Sequence, residues 1–334
     1  MLVTVKEAPV AEAGENRVVC LNSGSFRLIG SPSGGVWAGV HVTAEGTFTP
    51  SAVGTFTLTY TYGSGSCETS DQLTVTVNAL PAAPVAPGTT ICPGETATLT
   101  VENPQGRIVW FDTPMGGNAL AEGAAFTTPA LERTTAYYVE TTIEGGCTST
   151  RRAVEVNVRP ATPAPVVQPV LLCGPGNTAV LLAEGNATSY EWFDAPAGGN
   201  SLSSDRTFQT PVLSESRSYY VQATIEGCVS PRTEAKVIVY PVITDNTLAD
   251  IPTICAGQTP ARIQGSTPAG GNGSYAYQWE VSSQGATEGF SAIDGANLKD
   301  YQPSPLSRTT WFRRKVTSAS CTSTSEAIEV QVTP

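Results

Sequence analysis

The sequence predicts an all-β chain that folds as four tandem antiparallel β-sandwiches in an extended array. Three observations lead to this prediction: one pattern of cysteines recurs four times, apolar residues alternate with period two, and no segment keeps a helical period. Only 14% of the 334 residues are charged, whereas 32 are glycine and 25 are proline. That composition suits strands and turns better than surface helices.

The eight cysteines, taken in order, divide the chain into four similar units. The first of each pair lies in "VCLNSGSFRL", "ICPGETATLT", "LCGPGNTAVL" and "ICAGQTPARI". The second opens a terminal alternating run: "CETSDQLTVTV", "CTSTRRAVEVNV", "CVSPRTEAKVIV" and "CTSTSEAIEVQV". We therefore predict a divergent first domain over 1–79, two closely matched domains over 80–159 and 160–240, and a fourth domain with a longer middle over 241–334.

The middle of each unit supplies strands and core. In "YYVETTI" (137–143), alternation places two apolar residues and a tyrosine on one face, and "YYVQATI" (219–225) does the same. Six to eight short strands in roughly 80 residues favour an immunoglobulin-like sandwich. We expect its core to contain Trp110, Tyr137, Val139, Trp192, Tyr219, Val221 and Trp279.

The cysteines are interpreted as disulfides because their number is even and each repeat has one pair. The prediction is one bridge within each domain, near one end of the sandwich: Cys20–Cys67, Cys92–Cys147, Cys173–Cys228 and Cys255–Cys321. Each bridge should stabilise its domain by roughly 4 kcal/mol. Bridges that persist imply an oxidising, extracellular setting.

Composition and motifs argue against an enzyme and against a cofactor. The chain has a single histidine, His41, expected on a strand beside a turn, so neither a zinc site nor a nucleophile with its base can recur in the repeats. Asp112 and Asp194 precede Pro-x-Gly-Gly and are interpreted as turn residues, with sugar contact as the alternative. A net charge of −11 disfavours nucleic acid and anionic lipid as partners. No apolar run is long enough to insert directly into a membrane.

Three smaller features complete the candidate sites. The pattern "TDNTLAD" offers Asp245, Asn246 and Asp250 as the one group that could hold a calcium ion, at the third joint between domains. Linkers without metal have the same composition, and no metal is predicted. "WFRRKV" (311–316) is expected on a solvated edge strand, with a partner-binding surface as the alternative. Asn186 and Asn272 fit the glycosylation sequon.

The second unit, "ICPGETATLT…WFDTPMGGNAL…FTTPALERTTAYYVETTIEGGCTSTRRAVEVNV", resembles the immunoglobulin-like repeats of large secreted or cell-surface proteins of Bacteroidota, of the gliding-motility and adhesin type. The third unit is equally similar. The fourth, with "YQWEVS" and "YQPSPLSRTTWFRRKV", and the first, with "GGVWAG", resemble sister repeats. The resemblance covers essentially the whole chain.

This resemblance implies a secreted, non-enzymatic segment that acts as a semi-rigid stalk or adhesive region. The implied partners are other domains of the same large surface protein, with neighbouring subunits, a glycan, or a host or substratum surface as further partners. Two alternatives stay open at this point. One is a subunit of an extracellular filament, and the other is a glycan- or protein-binding module that uses loops at one end of a sandwich.

Overall fold

The computed structural model describes residues 9–334, so the first eight residues of the predicted first domain lie outside it. The described residues are all-β apart from one short 3-10 turn, Gly65–Cys67. The chain divides into two compact units, Met1–Pro160 and Ala161–Pro334. Each unit contains two sandwiches, in agreement with the predicted all-β fold of four sandwiches.

The first sandwich packs a four-stranded sheet, in the order β1-β6-β5-β3, on the hairpin β2-β4. Its strands are β1 (Arg17–Cys20), β2 (Phe26–Arg27), β3 (Val36–Ala38), β4 (Thr47–Phe48), β5 (Gly54–Tyr62) and β6 (Thr69–Asn78).

The second sandwich packs a five-stranded sheet, β10-β9-β12-β13-β7, on the pair β11-β8. Its strands are β7 (Thr89–Ile91), β8 (Thr98–Thr100), β9 (Arg107–Phe111), β10 (Ala121–Glu122), β11 (Ala125–Thr127), β12 (Thr135–Thr142) and β13 (Arg152–Val158).

The third sandwich repeats this plan, with the sheet β14-β21-β19-β16-β17, the short β20 beside β19, and the pair β15-β18. Its strands are β14 (Val170–Cys173), β15 (Val180–Leu182), β16 (Ser189–Phe193), β17 (Ser201–Ser203), β18 (Thr207–Gln209), β19 (Arg217–Ile225), β20 (Cys228–Val229) and β21 (Thr233–Tyr240).

The fourth sandwich keeps the large sheet, β24-β23-β25-β26 with β27 also on β25, and the pair β22-β28. Its opposite layer is reduced to backbone bridges such as Ile263 with Tyr301. The strands are β22 (Ile254–Cys255), β23 (Ala276–Ser282), β24 (Ser291–Ala292), β25 (Thr310–Ser318), β26 (Cys321–Thr324), β27 (Ile328–Val330) and β28 (Val332–Thr333).

The sheets are not purely antiparallel as predicted. In every sandwich the strand that ends at the first cysteine, or just before it in the second sandwich, pairs in parallel with the last strand of the domain: β1 with β6, β7 with β13, β14 with β21 and β22 with β28. Periodicity cannot report strand direction, because alternation looks the same in parallel and antiparallel pairs. This pairing sets the position of every first cysteine.

The cores are built on one repeated aromatic stack. Trp110, Trp192 and Trp279 are fully buried, and each stacks on a ring from the opposite layer at centroid distances of 5.7, 5.7 and 5.5 Å. Each indole Nε1–H donates to a backbone carbonyl, so the buried polar atom is satisfied. The other residues expected in the core are also buried: Tyr137, Val139, Tyr219 and Val221.

Candidate functional site

The parallel strand pairs place the two cysteines of a domain at opposite ends of its sandwich. We call the end at which the last strand finishes the exit pole, and the end at which it starts the entry pole. The first cysteines lie at the exit pole: Cys20 pairs with Asn78, Cys173 with Tyr240 and Cys255 with Thr333, each at the end of a last strand. The second cysteines lie before or near the start of the last strand, at the entry pole.

The predicted disulfides within domains are wrong, and the observed ones join successive domains. Cys20 of the first sandwich bonds Cys147 of the second, with 5.5 Å between the Cα atoms. Cys173 of the third sandwich bonds Cys321 of the fourth, with 4.9 Å between the Cα atoms. These two bonds exclude all four predicted pairs: Cys20–Cys67, Cys92–Cys147, Cys173–Cys228 and Cys255–Cys321.

The physical reason is distance. A last strand of seven residues, such as Arg152–Val158, spans roughly 23 Å between the two poles. A disulfide requires Cα atoms about 4.4–6.8 Å apart. The exit-pole cysteine therefore cannot reach the entry-pole cysteine of its own domain, and in both observed bonds it meets the entry-pole cysteine of the following domain.

The remaining cysteines differ in state. Cys92 and Cys228 are also disulfide-bonded. Cys67 and Cys255 are free and exposed. They occupy different positions in the repeat, because Cys67 lies at an entry pole and Cys255 at an exit pole.

The junction between the third and fourth sandwiches has its own apolar core. Ile243, Val316 and Cys321 are buried there, and Cys173 and Tyr240 of the third sandwich pack against them with two further tyrosines. The linker is tied into the fourth sandwich, since Gly271 N–H donates to the Pro241 carbonyl at 2.8 Å. The disulfide therefore lies inside a packed interface and covalently secures it.

The junction between the first and second sandwiches also has a buried cysteine beside a close backbone turn. Cys147 is 1% exposed. The turn that precedes it, Gly145–Gly146, has positive φ at both residues, 92° and 78°, as a glycine turn requires. A Cβ atom at Gly145 would lie 3.6 Å from Asn78 Nδ2, the side chain of the residue that ends β6. The turn of the second domain thus lies directly against the exit pole of the first.

The three residues considered for calcium do not form a cation site. The Oδ1 atom of Asn246 accepts hydrogen bonds from Nε and Nη2 of Arg314 at 3.0 and 2.9 Å, so a guanidinium already occupies the position next to it. Asp250 is exposed, and Asp245 contacts the Thr244 hydroxyl. Residues 9–334 contain no cluster of three or more His, Cys, Asp or Glu that could hold a metal ion.

Arg314 is a buried charged residue whose position was not predicted from the sequence. It lies on β25, which has neighbours on both sides and is not an edge strand. The side chain is fully buried and also donates to the carbonyls of Lys299 and Ser266 at 2.9 and 3.0 Å. Burial lowers the pKa of Arg314. The alternation in "TWFRRKVTS" could have revealed this, because Arg314 shares the register of Phe312 and Val316, both buried.

Two arginines tie the exposed Pro-x-Gly-Gly hairpins to the second and third sandwiches. The guanidinium carbon of Arg151 lies 3.3 Å from the ring centroid of Phe111, and that of Arg232 lies 3.3 Å from the ring centroid of Phe193. Nη1 of Arg232 donates to two carbonyls of the hairpin at 2.7 Å, and Arg151 makes the same pair of bonds. These contacts hold each hairpin rigidly.

Asp194 takes the turn role. Its carboxylate accepts the backbone N–H of Asn200 at 2.8 Å and the side-chain amide at 3.0 Å, and these two hydrogen bonds lower the pKa of Asp194. Asp112 begins the equivalent turn, in which Gly116 and Gly117 have φ of 64° and 74°. The carboxylate of Asp194 is thus engaged within its own turn.

His41 lies in a turn and not on a strand as expected, with a φ of 67°. Its Nδ1 contacts the Ser51 hydroxyl at 2.8 Å, and its ring meets Phe56 edge-on at 4.9 Å. In the part of the chain that the structure describes, no helix is long and apolar enough to cross a membrane.

Comparison with known families identifies three of the four domains. The family described as "Ig-like domain CHU_C associated" matches residues 81–160 and again residues 160–241. Residues 244–334 match a domain of unknown function. Residues 81–241 are therefore similar to two tandem Ig-like domains of this type, and the residues that follow are similar to that domain of unknown function.

The solved structures that match this chain come from varied sources. Three N-terminal domains of the Hoc capsid protein of bacteriophage RB49 match at 12% identity and a TM-score of 0.43, covering 73% of this chain and 96% of that one. Domains A168–A170 of titin match at 14% identity and a TM-score of 0.35, covering 76% and 100%. Immunoglobulin domains 1–5 of Sidekick-1 match at 14% and 0.30, covering 97% and 80%. No curated protein sequence matches the chain.

Proposed function

We propose that this chain is a non-enzymatic structural or adhesive segment of an extracellular surface protein, a stalk whose successive domains are stapled together by disulfides. The observation that carries the proposal is that Cys20–Cys147 and Cys173–Cys321 each join two neighbouring sandwiches. A disulfide that closes one domain stabilises that domain only. A disulfide between domains also transmits load from one domain to the next.

Two further observations support this role. Disulfides persist in oxidising surroundings, which fits a location outside the cell. The family of the second and third domains is named for its association with CHU_C, an association found among surface proteins of Bacteroidota.

The mechanical consequence follows from the positions of the bonds. The two disulfides bridge sequence separations of 127 and 148 residues, which together make up most of the 334-residue chain. A force applied at the chain ends passes through the disulfides and bypasses the enclosed segments. Because an extended residue spans up to about 3.5 Å, the bonds withhold roughly 440 Å and roughly 520 Å of chain from extension.

Single-molecule force spectroscopy with handles at both termini tests the proposal. Without reductant, the sum of all unfolding extensions should fall short of that of the reduced chain by nearly 1000 Å, the length that the two bonds withhold. Adding a thiol reductant should release this withheld length of chain. Cys321→Ser, which removes the Cys173–Cys321 bond, should increase the extension reached without reductant, whereas the matched variant Cys255→Ser, which removes a free cysteine, should behave like the parent chain. Full extension without reductant would refute a covalently stapled stalk.

A further inference from the structure

The two free cysteines, Cys67 and Cys255, occupy the two complementary positions of the disulfide between domains. In the bonds Cys20–Cys147 and Cys173–Cys321, an exit-pole cysteine always bonds the entry-pole cysteine of the following domain. Cys255 is an exit-pole cysteine and Cys67 is an entry-pole cysteine. Each therefore lacks the partner that its position has elsewhere in the chain.

Cys255 is held in the same local geometry as an exit-pole cysteine that is already bonded. The backbone N–H of Cys20 donates to the Ser23 hydroxyl at 3.1 Å, and the N–H of Ser23 returns a bond to the Cys20 carbonyl at 2.9 Å. The N–H of Cys255 donates to Gln258 Oε1 at 3.0 Å, and the N–H of Gln258 donates to the Cys255 carbonyl at 3.1 Å. The turn that presents the sulfur is thus formed at Cys255 without a partner.

Burial supplies a second, independent observation. The entry-pole cysteines Cys147 and Cys321 are 1% and 0% exposed, and both are bonded to a preceding domain. Cys67, between β5 and β6 at the equivalent position, is exposed. Cys255, at an exit pole, is exposed, whereas the bonded exit-pole cysteines Cys20 and Cys173 are half-buried. Both thiols are therefore accessible, and each lies on a surface of the kind that forms a junction elsewhere in this chain.

We propose that Cys255 forms a disulfide with the entry-pole cysteine of a further Ig-like domain of this type, and that Cys67 forms one with the exit-pole cysteine of another. The partner class is a domain that presents a cysteine after its long central strand or at the end of its first strand. Such a contact is head-to-tail and does not close on itself, so it propagates the staple from domain to domain. These disulfides would form whether or not the segment carries load.

The chemistry is thiol–disulfide exchange, with a small-molecule disulfide such as oxidised glutathione as oxidant. One cysteine thiolate attacks the glutathione disulfide and forms a mixed disulfide, releasing one glutathione thiol. The second cysteine thiolate displaces the other glutathione, and the new S–S bond forms. Two thiols are oxidised, one disulfide is reduced to two thiols, and the two protons pass to the leaving thiolates.

The test uses two copies of the full chain as mutual partners. Cys67→Ser leaves Cys255 as the only free cysteine, and Cys255→Ser leaves Cys67 as the only free cysteine. The two variants are mixed in equal amounts in a glutathione redox buffer. The products are resolved by non-reducing electrophoresis of the 34.7 kDa chains and by mass spectrometry of the linked peptides.

We expect the mixed pair, Cys255 bonded to Cys67, to exceed each like pair at least tenfold. The Cys67→Ser/Cys255→Ser double variant should stay monomeric. A mixed pair only about twice as abundant as each like pair, which is the random proportion, would overturn the proposal. So would a product mixture that contains only glutathione adducts on both thiols. Since both residues are exposed and unbonded, circular dichroism of the variants should match the parent chain.

Discussion

Replacing Arg314 by methionine should lower the stability of the fourth sandwich far more than any change at a neighbouring charged residue. The buried guanidinium makes four hydrogen bonds to three acceptors, the side-chain oxygen of Asn246 and the carbonyls of Lys299 and Ser266. Methionine preserves much of the apolar volume but leaves these acceptors unpaired. A buried acceptor left without a partner costs about 1–3 kcal/mol, so the loss of the partner of all three acceptors should cost about 3–5 kcal/mol.

Hydrogen exchange followed by mass spectrometry measures this on the intact chain, because peptides from β25 report the fourth sandwich separately. A loss of about 3–5 kcal/mol corresponds to roughly 10²- to 10⁴-fold faster exchange of protected amides in that strand. The matched control is Arg313→Met, which breaks a partly exposed ion pair with Glu280 and a contact with the Phe290 ring. That change should cost only about 1 kcal/mol. Equal effects of the two substitutions would refute the assignment of Arg314 as the polar centre of this core.

Three further predictions concern single features. Gly265→Ala should destabilise the fourth sandwich by about 1–3 kcal/mol, since the added Cβ would lie 1.9 Å from Arg314 Nη1 and 2.8 Å from the Lys299 carbonyl, and a chemical denaturation curve measures it. Arg232→Ala should free the hairpin that follows Phe193, which limited proteolysis detects as new cleavage between residues 194 and 200; unchanged protection would contradict the role of Arg232. Hydrogen bonds from Asn200 depress the pKa of Asp194. Their contribution to folding stability is therefore complete above the ordinary carboxyl pKa of about 3.9, and it is lost as the pH falls through the lower pKa of the folded state. The Asn200 amide resonance should titrate in that acidic range, and in Asp194→Ala it should not.

Much of the fold could be predicted from residues alone. The alternation of "YYVETTI" identifies the buried face that holds Tyr137 and Val139, because successive side chains of a strand point to opposite sides. The glycine pairs identify the hairpin turns, because only glycine adopts positive φ without steric cost. Both are local properties, determined by residues that are neighbours in sequence.

The interior of the fourth domain was less accessible to such reasoning. Arginine is almost always exposed, so composition argues against burying Arg314. Its burial depends on acceptors that come from three separate segments, at Asn246, Ser266 and Lys299. Those segments converge only in the folded domain, and the same convergence removes Asn246 from any calcium site.

The sequence by itself determined that this protein is all-β, that it consists of four repeats, and that each repeat carries two cysteines in fixed positions. Only the tertiary structure decided which cysteines bond. Parallel pairing of the first and last strands carries the two cysteines of a domain to opposite poles, more than 20 Å apart by strand length. A disulfide forms between sulfurs that are close in space, and the cysteine closest in space to Cys20 or Cys173 belongs to the next domain.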